Sequence, residues 1–136
     1  MIVSREKIPL PNQQAVAKLL RKLLNKEDSI SKDREHFWVI SLDSKNKVKF
    51  VELVSIGAVN QCLVSPREVF RRALKKGAVS IIIGHNHPSG DPTPSEDDRT
   101  MTMKLKQGGE LLSIPLVDHI ILGDNEHYSF KAKGII

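Results

Sequence analysis

The sequence predicts an α/β fold in which a mixed β-sheet is flanked by helices. Three observations support this prediction. Predicted helices and strands alternate along the chain. The apolar run at residues 79–84 (V-S-I-I-I-G) has the β-branched composition of a strand that is covered on both faces. A length of 136 residues suits one domain with its own core. The composition, with 40% hydrophobic and 27% charged residues, is that of an ordinary globular protein. We therefore expect a single domain over residues 1–136.

The first part of the chain predicts an extended segment over residues 1–11 and then a helix. Asn12 is a suitable N-cap, and apolar residues recur at helical spacing on one face up to about residue 25. This face consists of Val16, Leu19, Leu20, Leu23 and Leu24. The polar residues 27–34 predict a loop.

A β-hairpin is predicted next. Residues 36–42 and 48–55 have the composition of strands, and D-S-K-N at residues 43–46 is typical of a turn between them. Gly57 ends the second strand, and residues 60–64 predict a further short strand.

The signals for a second helix are unusually complete. Ser65 is the N-cap, Pro66 takes the first helical position, and Glu68 completes a capping box. Gly77 ends the helix. Its apolar face consists of Val69, Phe70, Ala73 and Leu74.

The remaining elements complete the predicted sheet. The strand at residues 79–84 is followed by a loop rich in Pro and Gly, after which Ser95 caps a helix that continues to about residue 112. Residues 116–122 and 128–131 predict two closing strands.

Composition excludes some classes of protein. No apolar run approaches the roughly 20 residues that span a bilayer, and the N-terminus lacks the pattern of a signal peptide, so we expect a cytoplasmic protein without a membrane segment. Cys62 is the only cysteine, which excludes an internal disulfide and a zinc site built from cysteines. The net charge of +5 is compatible with nucleic acid or an acidic partner, but the basic residues are scattered. The oligomeric state is not indicated.

The motif that carries chemistry lies in residues 84–98, G-H-N-H-P-S-G-D-P-T-P-S-E-D-D. His85 and His87 follow directly from the Ile-rich strand, and residues two apart on a strand point to the same face, with Asn86 pointing to the other. Asp98 adds a carboxylate. Two imidazoles and one carboxylate form a good Zn²⁺ site with one coordination position left for water.

The start of the predicted helix suits an anionic ligand. Asp98 lies in its first turn, where the helix dipole stabilises a negative charge and keeps the pKa of the carboxyl group low. Pro88, Pro92 and Pro94 restrict the preceding loop and so reduce the entropy lost when the helix start is held against the strand end.

A zinc-bound water also needs a base to accept its proton, and four glutamates are candidates. Glu68 is expected to be engaged in its capping box, Glu96 to face solvent, and Glu52 to lie mid-strand, where it needs a partner. Glu35 precedes the apolar strand and is placed at a strand end. We therefore rank Glu35 first.

These residues resemble the JAMM (MPN+, JAB) metalloproteases. The signature of that family is an upstream Glu, then His-x-His-Pro, six residues, and Ser-x-x-Asp. The chain matches it with H-N-H-P at residues 85–88 and S-E-D-D at residues 95–98. The segments S-P-R-E-V-F-R-R-A-L and V-D-H-I-I-L are similar to the RadC-type branch, and the likeness extends over residues 34–129.

The resemblance implies a fold, a set of residue roles and an activity. It implies a cytidine-deaminase-like α/β/α sandwich in which His85, His87 and Asp98 bind Zn²⁺, Glu35 is the general base and Ser95 helps to stabilise the oxyanion. The expected activity is that of a zinc-dependent peptidase or isopeptidase acting on a peptide or protein substrate.

The alternative is a DNA-repair-associated or partner-binding module in which the metal site is structural or vestigial. Long RadC-type proteins carry an N-terminal helix-hairpin-helix region, which we do not find in residues 1–136, so DNA contact through that region is not expected here. His119 either lines the cleft of the metal site or merely completes a strand, and the sequence leaves both interpretations open.

Overall fold

The computed structural model describes residues 2–4, 8–9, 12–57 and 64–136. Its elements, in chain order, are β1 Ile2–Ser4, β2 Ile8–Pro9, α1 Gln13–Asn25, α2 Ser29–Lys32, β3 His36–Leu42, β4 Lys47–Ile56, α3 Pro66–Lys75, β5 Ser80–Asn86, α4 Glu96–Leu112, β6 Leu116–Leu122 and β7 His127–Ser129. None of the helices in these ranges is long and apolar enough to span a membrane.

The strands form one mixed sheet, as the sequence predicts. The strand order is β1-β4-β3-β5-β6-β7, and β2 also pairs with β4. The pairing of β5 with β6 is parallel, whereas the other pairings are antiparallel. A parallel pair needs a crossover connection, and here the crossover contains α4. α4 therefore starts near the carboxyl end of β5 and leads the chain back to the start of β6.

Helices cover both faces of the sheet and create two cores. α1 packs on one face through Leu20 and its neighbours, whereas α3 and α4 pack on the other face through residues such as Phe70 and Leu105. Trp38 and Phe37 are adjacent on β3 and point into opposite cores, because successive strand side chains alternate. The arrangement is an α/β/α sandwich.

Several predicted boundaries are confirmed. β3 and β6 have the predicted limits, and the N-caps of the first two predicted helices make their expected bonds. The Asn12 side chain accepts a hydrogen bond from the N–H of Ala15 (2.9 Å), and Ser65 Oγ accepts one from the N–H of Glu68 (3.3 Å). Each bond satisfies a backbone donor that has no partner within the helix.

Other boundaries differ for local reasons. Residues 27–34, predicted as a loop, contain the short helix α2, which Asp28 caps by accepting a hydrogen bond from Ser31 N–H. β5 continues two residues past Gly84. Leu74, predicted on the apolar face of α3, is 58% exposed. Of the strand predicted over residues 60–64, residues 60–63 lie outside the described part of the chain.

The last strand is shorter than predicted at its carboxyl end. It ends at Ser129, and the chain then turns. The N–H of Lys131 donates to Asp118 Oδ1 (2.9 Å) rather than to a neighbouring strand, and Ser129 Oγ donates to Asp118 Oδ2 (2.6 Å). The buried Asp118 carboxylate therefore sets where the strand stops.

Candidate metal centre

The two histidines of the motif stand at the carboxyl end of β5. His85 is the second-to-last residue of this strand and is fully buried, and His87 follows the strand directly. Asn86 points away from them, as predicted. Its side chain accepts a hydrogen bond from His36 N–H (2.6 Å) and donates one to the carbonyl of Arg34 (3.0 Å). Alternation along the strand therefore separates the candidate ligands from the residue between them.

Asp98 is fixed by the first turn of α4. Ser95 and Asp98 form a reciprocal capping box, in which Ser95 Oγ accepts from Asp98 N–H (3.1 Å) and Asp98 Oδ2 accepts from Ser95 N–H (2.9 Å). This second bond turns the carboxylate back towards the helix start. The carboxylate therefore faces the end of β5 instead of solvent.

Three donor groups meet between β5 and α4. His85 Nε2 lies 3.0 Å from His87 Nε2 and 3.3 Å from Asp98 Oδ1, and His87 Nε2 lies 3.1 Å from Asp98 Oδ2. A tetrahedral ion with ligand bonds of about 2.0–2.1 Å separates its ligand atoms by about 3.3 Å. The spacing and the chemistry of this donor set therefore fit a Zn²⁺-sized cation, and together the three residues form a group able to hold a metal ion.

The electrostatics of the cluster favour an anionic Asp98. Burial alone would raise the pKa of this carboxyl group, but hydrogen bonds with His85 and His87, the charge interaction with His85 and the Ser95 N–H outweigh burial and hold its pKa far below the usual range. The expected direction is confirmed. Burial lowers the pKa of His87, but its bonds to Asp98 and to the Asp91 carbonyl, together with the charges of Asp98 and Glu35, raise it above 6.5 overall.

Each histidine of the pair uses its other ring nitrogen for a contact outside the cluster. His87 Nδ1 donates to the carbonyl of Asp91 (2.8 Å), and His85 Nδ1 lies 2.8 Å from His119 Nε2. Outer contacts of this kind orient a ligand imidazole and fix which nitrogen carries the proton. Of the two interpretations left open for His119, the structure favours a place in this site, since its ring touches His85.

Sequence reasoning missed Thr102. Its hydroxyl group donates to the carbonyl of Asp98 (2.6 Å) and contacts His119 Nδ1 (2.6 Å), and the whole residue is buried. The available signal was its position four residues after Asp98, which places both on one face of α4.

Burial lowers the pKa of His119 well below its usual value.

Of the four glutamates considered as the base, Glu35 is the one whose charge acts on the histidines. It is half-buried just before β3, and its charge helps to raise the pKa of His87. The side chain of Glu52 pairs with Arg72 (2.6 Å), and that of Glu96 is 93% exposed. Glu68 was predicted to complete a capping box with Ser65, but its side chain contacts Arg71 and Arg72 instead. The catalytic roles of Glu35 and Ser95 stay predictions.

Comparison with known families agrees with this geometry. The model of the RadC-like JAB domain matches residues 10–135. The chain belongs to this family. The membership confirms the resemblance inferred from the His-x-His-Pro and Ser-x-x-Asp segments, and the mixed sheet with flanking helices is consistent with a JAB domain.

Curated relatives share about half of their residues with this RadC-like JAB domain in the aligned regions. A UPF0758 protein of Desulfitobacterium hafniense (strain DSM 10664 / DCB-2) is 49% identical over 104 residues, which cover 76% of this chain and 46% of the relative. A UPF0758 protein of Desulforamulus reducens is 49% identical over 110 residues, which cover 81% of this chain and 48% of the relative. The chain thus spans about half the length of these relatives. Their names specify neither substrate nor reaction.

Proposed function

We propose that this RadC-like JAB domain is a zinc-dependent metallopeptidase or isopeptidase that hydrolyses an amide bond of a peptide or protein substrate. The observation that carries the proposal is the meeting of two imidazole Nε2 atoms and one carboxylate at separations of 3.0–3.3 Å. A structural zinc site is closed by four protein ligands, whereas a catalytic site has three and keeps a position open. The lone cysteine of the sequence is compatible with a reducing compartment, so we place the reaction in the cytoplasm.

Three residues would hold the ion. His85 and His87 present Nε2 towards Asp98, and Asp98 remains anionic at neutral pH. A bound Zn²⁺ would supply Lewis acidity, which would polarise a substrate carbonyl group and make water at the site more acidic. Imidazole and carboxylate donors suit zinc better than they suit Mg²⁺ or Ca²⁺, which prefer oxygen alone.

Glu35 is the proposed general base and then general acid. Glu35 is half-buried, and its charge helps to raise the pKa of His87. The Asn86 side chain is hydrogen-bonded to the backbone of the residues before and after Glu35, Arg34 and His36. A carboxylate held in this way can take the proton of the attacking water and pass it to the leaving amine. General acid–base catalysis of this kind contributes on the order of 10²–10⁴-fold.

Ser95 is the proposed oxyanion donor. Its Oγ accepts the N–H of Asp98, so it stands at the start of α4 beside the ligand carboxylate. A hydroxyl group that accepts one hydrogen bond can still donate its own hydrogen. A donor in place before charge develops on the carbonyl oxygen lowers the barrier, since no reorganisation is needed during the reaction.

The test separates metal binding from chemistry. Zinc is measured by mass spectrometry on protein purified without a metal-affinity column. Hydrolysis is measured as ¹⁸O incorporation from labelled water into the new carboxyl termini of a peptide library that includes lysine isopeptides. We expect about one zinc per chain in the wild-type protein, loss of zinc in His87→Ala, and retained zinc with at least about a 100-fold loss of turnover in Glu35→Gln.

Glu96→Gln is the matched control, because its exposed side chain is near the helix start but outside the cluster, and it should retain both zinc and turnover. Wild-type protein without stoichiometric zinc would refute the proposal. Zinc with no cleavage, accompanied by DNA binding that weakens steeply with salt, would favour the DNA-associated alternative.

A further inference from the structure

The metal loop, residues 87–94, rests on the turn of residues 123–126 between β6 and β7. Two backbone hydrogen bonds join the two segments. The N–H of His87 donates to the carbonyl of the last residue of β6 (2.9 Å), and the N–H of Asp124 donates to the carbonyl of Gly90 (3.0 Å). The position of the turn therefore affects where the metal loop, and with it His87, can lie.

The two segments touch so closely that both have glycine at the contact. A Cβ atom on Gly123 would meet the carbonyl oxygen of Gly90 and lie 2.8 Å from Pro92 Cδ. A Cβ atom on Gly90 would meet the Asp124 carboxylate, and the φ of +92° at Gly90 also favours glycine. Because no side chain separates the backbones, a movement of the turn is passed directly to the metal loop.

A single side chain of α1 holds the turn. Arg21 Nη1 donates to the carbonyls of Gly123 (2.9 Å) and Asp124 (2.9 Å), and Arg21 Nη2 donates to the carbonyl of Glu126 (3.2 Å). A guanidinium group can only donate and a carbonyl can only accept, so the direction of all three bonds is certain. Arg21 lies 102 residues before Gly123, so the turn depends on a tertiary contact.

One peptide group connects Arg21 to the metal loop. The peptide between Gly123 and Asp124 accepts from Arg21 at its oxygen and donates its N–H to Gly90. In a trans peptide these two groups point in opposite directions from one rigid plane. A rotation of this peptide would break both bonds together. Arg21 therefore fixes the direction of the N–H that holds the metal loop.

The supported part of the metal loop holds His87 in turn. The N–H of Gly90 donates to the His87 carbonyl (3.0 Å), and His87 Nδ1 donates to the carbonyl of Asp91 (2.8 Å). Both the backbone and the ring of His87 are thus attached to the residues that contact the turn. The other nitrogen of this ring, Nε2, faces Asp98 at 3.1 Å.

We propose that Arg21 is a positioning residue for the metal centre, which holds His87 in place through the turn and the metal loop. This inference rests on the proposed function for the identity of the cation. Through Arg21, α1 contributes to a site whose proposed ligands come from β5, the metal loop and α4. Arg21 and His87 also line one cavity of about 220 Å³, so a direct contact of Arg21 with substrate is the alternative that the experiment must separate.

Amide hydrogen exchange in metal-free protein gives the first readout. Arg21→Ala removes the three bonds to the turn, and we expect at least about tenfold faster exchange at the N–H groups of His87 and Asp124. Exchange in β3, at the centre of the sheet, reports any loss of global stability, and the effect at His87 and Asp124 should exceed it. Lys18→Ala is the matched control, because Lys18 is an exposed cation three residues earlier on α1, and it should leave both rates unchanged.

Zinc affinity, measured by competition with a chromophoric chelator, gives the second readout. Changing groups that support metal ligands from outside typically weakens metal binding by about 10–100-fold, and we expect a loss in this range for Arg21→Ala. Gly123→Ala disturbs the same contact from the turn itself, since its methyl group would displace the Gly90 carbonyl, and it should also weaken zinc binding. Ser65→Ala lowers stability at α3, away from the metal loop, and should leave zinc affinity unchanged.

Unchanged exchange at His87 and Asp124 in Arg21→Ala would overturn the inference, and so would wild-type zinc affinity in both Arg21→Ala and Gly123→Ala. A higher KM for a peptide substrate with unchanged exchange and zinc affinity would also overturn it and identify Arg21 as a substrate contact. The exchange measurement needs no metal. If Arg21→Ala speeds exchange as expected but the wild-type protein binds no zinc, the proposed peptidase fails and the support of His87 by Arg21 stands.

Discussion

Asp98 combines a structural role with a proposed chemical one, and the substitution Asp98→Asn separates them. In the wild-type protein, Asp98 Oδ2 accepts from Ser95 N–H at 2.9 Å, and the same carboxylate faces both histidines at 3.1–3.3 Å. An asparagine has nearly the same shape, and its amide oxygen can still accept from Ser95. It lacks the negative charge that a ligand of a divalent cation provides. The cap should survive the substitution while the metal site does not.

The expected magnitudes differ strongly between metal-free and zinc-loaded protein. Without metal, Asp98→Asn loses the charge at the helix start and its charge-assisted bonds to histidine, which we expect to lower the free energy of unfolding by about 1–2 kcal/mol. With zinc at about 1,000 times its Kd, the wild-type protein gains about 4.1 kcal/mol, whereas a variant that binds at least about 100-fold more weakly gains no more than about 1.4 kcal/mol.

These energies convert into a measurable shift in Tm. At about 2.1 cal/mol/K per residue, the unfolding entropy of 136 residues is about 0.29 kcal/mol/K. Zinc should therefore raise the Tm of the wild-type protein by about 14 °C and that of Asp98→Asn by no more than about 5 °C, as followed by circular dichroism with and without a chelator.

Ser65→Ala is the matched control, because Ser65 caps α3 with the same type of bond, to Glu68 N–H, away from the cluster. It should lower the Tm by about 3–4 °C equally with and without zinc, as expected for the loss of about 1 kcal/mol. If Asp98→Asn keeps the full zinc-induced shift, Asp98 is not a ligand and the proposed site is wrong.

Two further predictions concern pH and the segment that carries Glu35. In metal-free protein, hydrogen bonding to Asp98 raises the pKa of His87 despite burial. The contact therefore contributes its full free energy to folding below the ordinary histidine pKa of 6.5. This contribution is lost as the pH rises through the pKa of His87 in the folded protein. Zinc must displace that proton, so zinc affinity measured by calorimetry should rise with pH and become constant above the folded-state pKa; a flat profile would contradict this. Asn86→Ala leaves the N–H of His36 buried without its acceptor and frees the backbone beside Glu35. We expect it to cost about 1–3 kcal/mol in urea unfolding and to lower turnover with zinc content unchanged; unchanged turnover would show that Asn86 does not position Glu35.

Local signals in the sequence predicted much of the fold and the three candidate ligands. Helix starts at Asn12, Ser65 and Ser95 depend on a side chain and a backbone N–H three residues apart, so a short segment contains all the relevant partners. The pairing of His85 with His87 depends only on the two-residue period of a strand. These parts could be predicted because their physics is contained in neighbouring residues.

Other parts could not be predicted in this way, since their partners are distant in sequence. The early end of β7 depends on the Asp118 carboxylate, which accepts from Ser129 and Lys131 across the sheet. The exposure of Leu74 depends on which side of α3 meets the sheet and α4, and helical periodicity leaves the edge of that face undetermined.

By itself, the sequence determined the donor chemistry of the site and the local geometry of each half: an imidazole pair at a strand end and a carboxylate at a helix start. Tertiary structure decided how the halves meet, because the parallel pairing of β5 with β6 requires a crossover in which α4 starts beside the carboxyl end of β5 and leads back to the start of β6. The same pairing sets Ile83 opposite His119, and this register, together with the packing of α4, brings His119 between His85 and Thr102. No spacing within one segment encodes those contacts, since they depend on strand register and helix packing over 17–34 residues of chain.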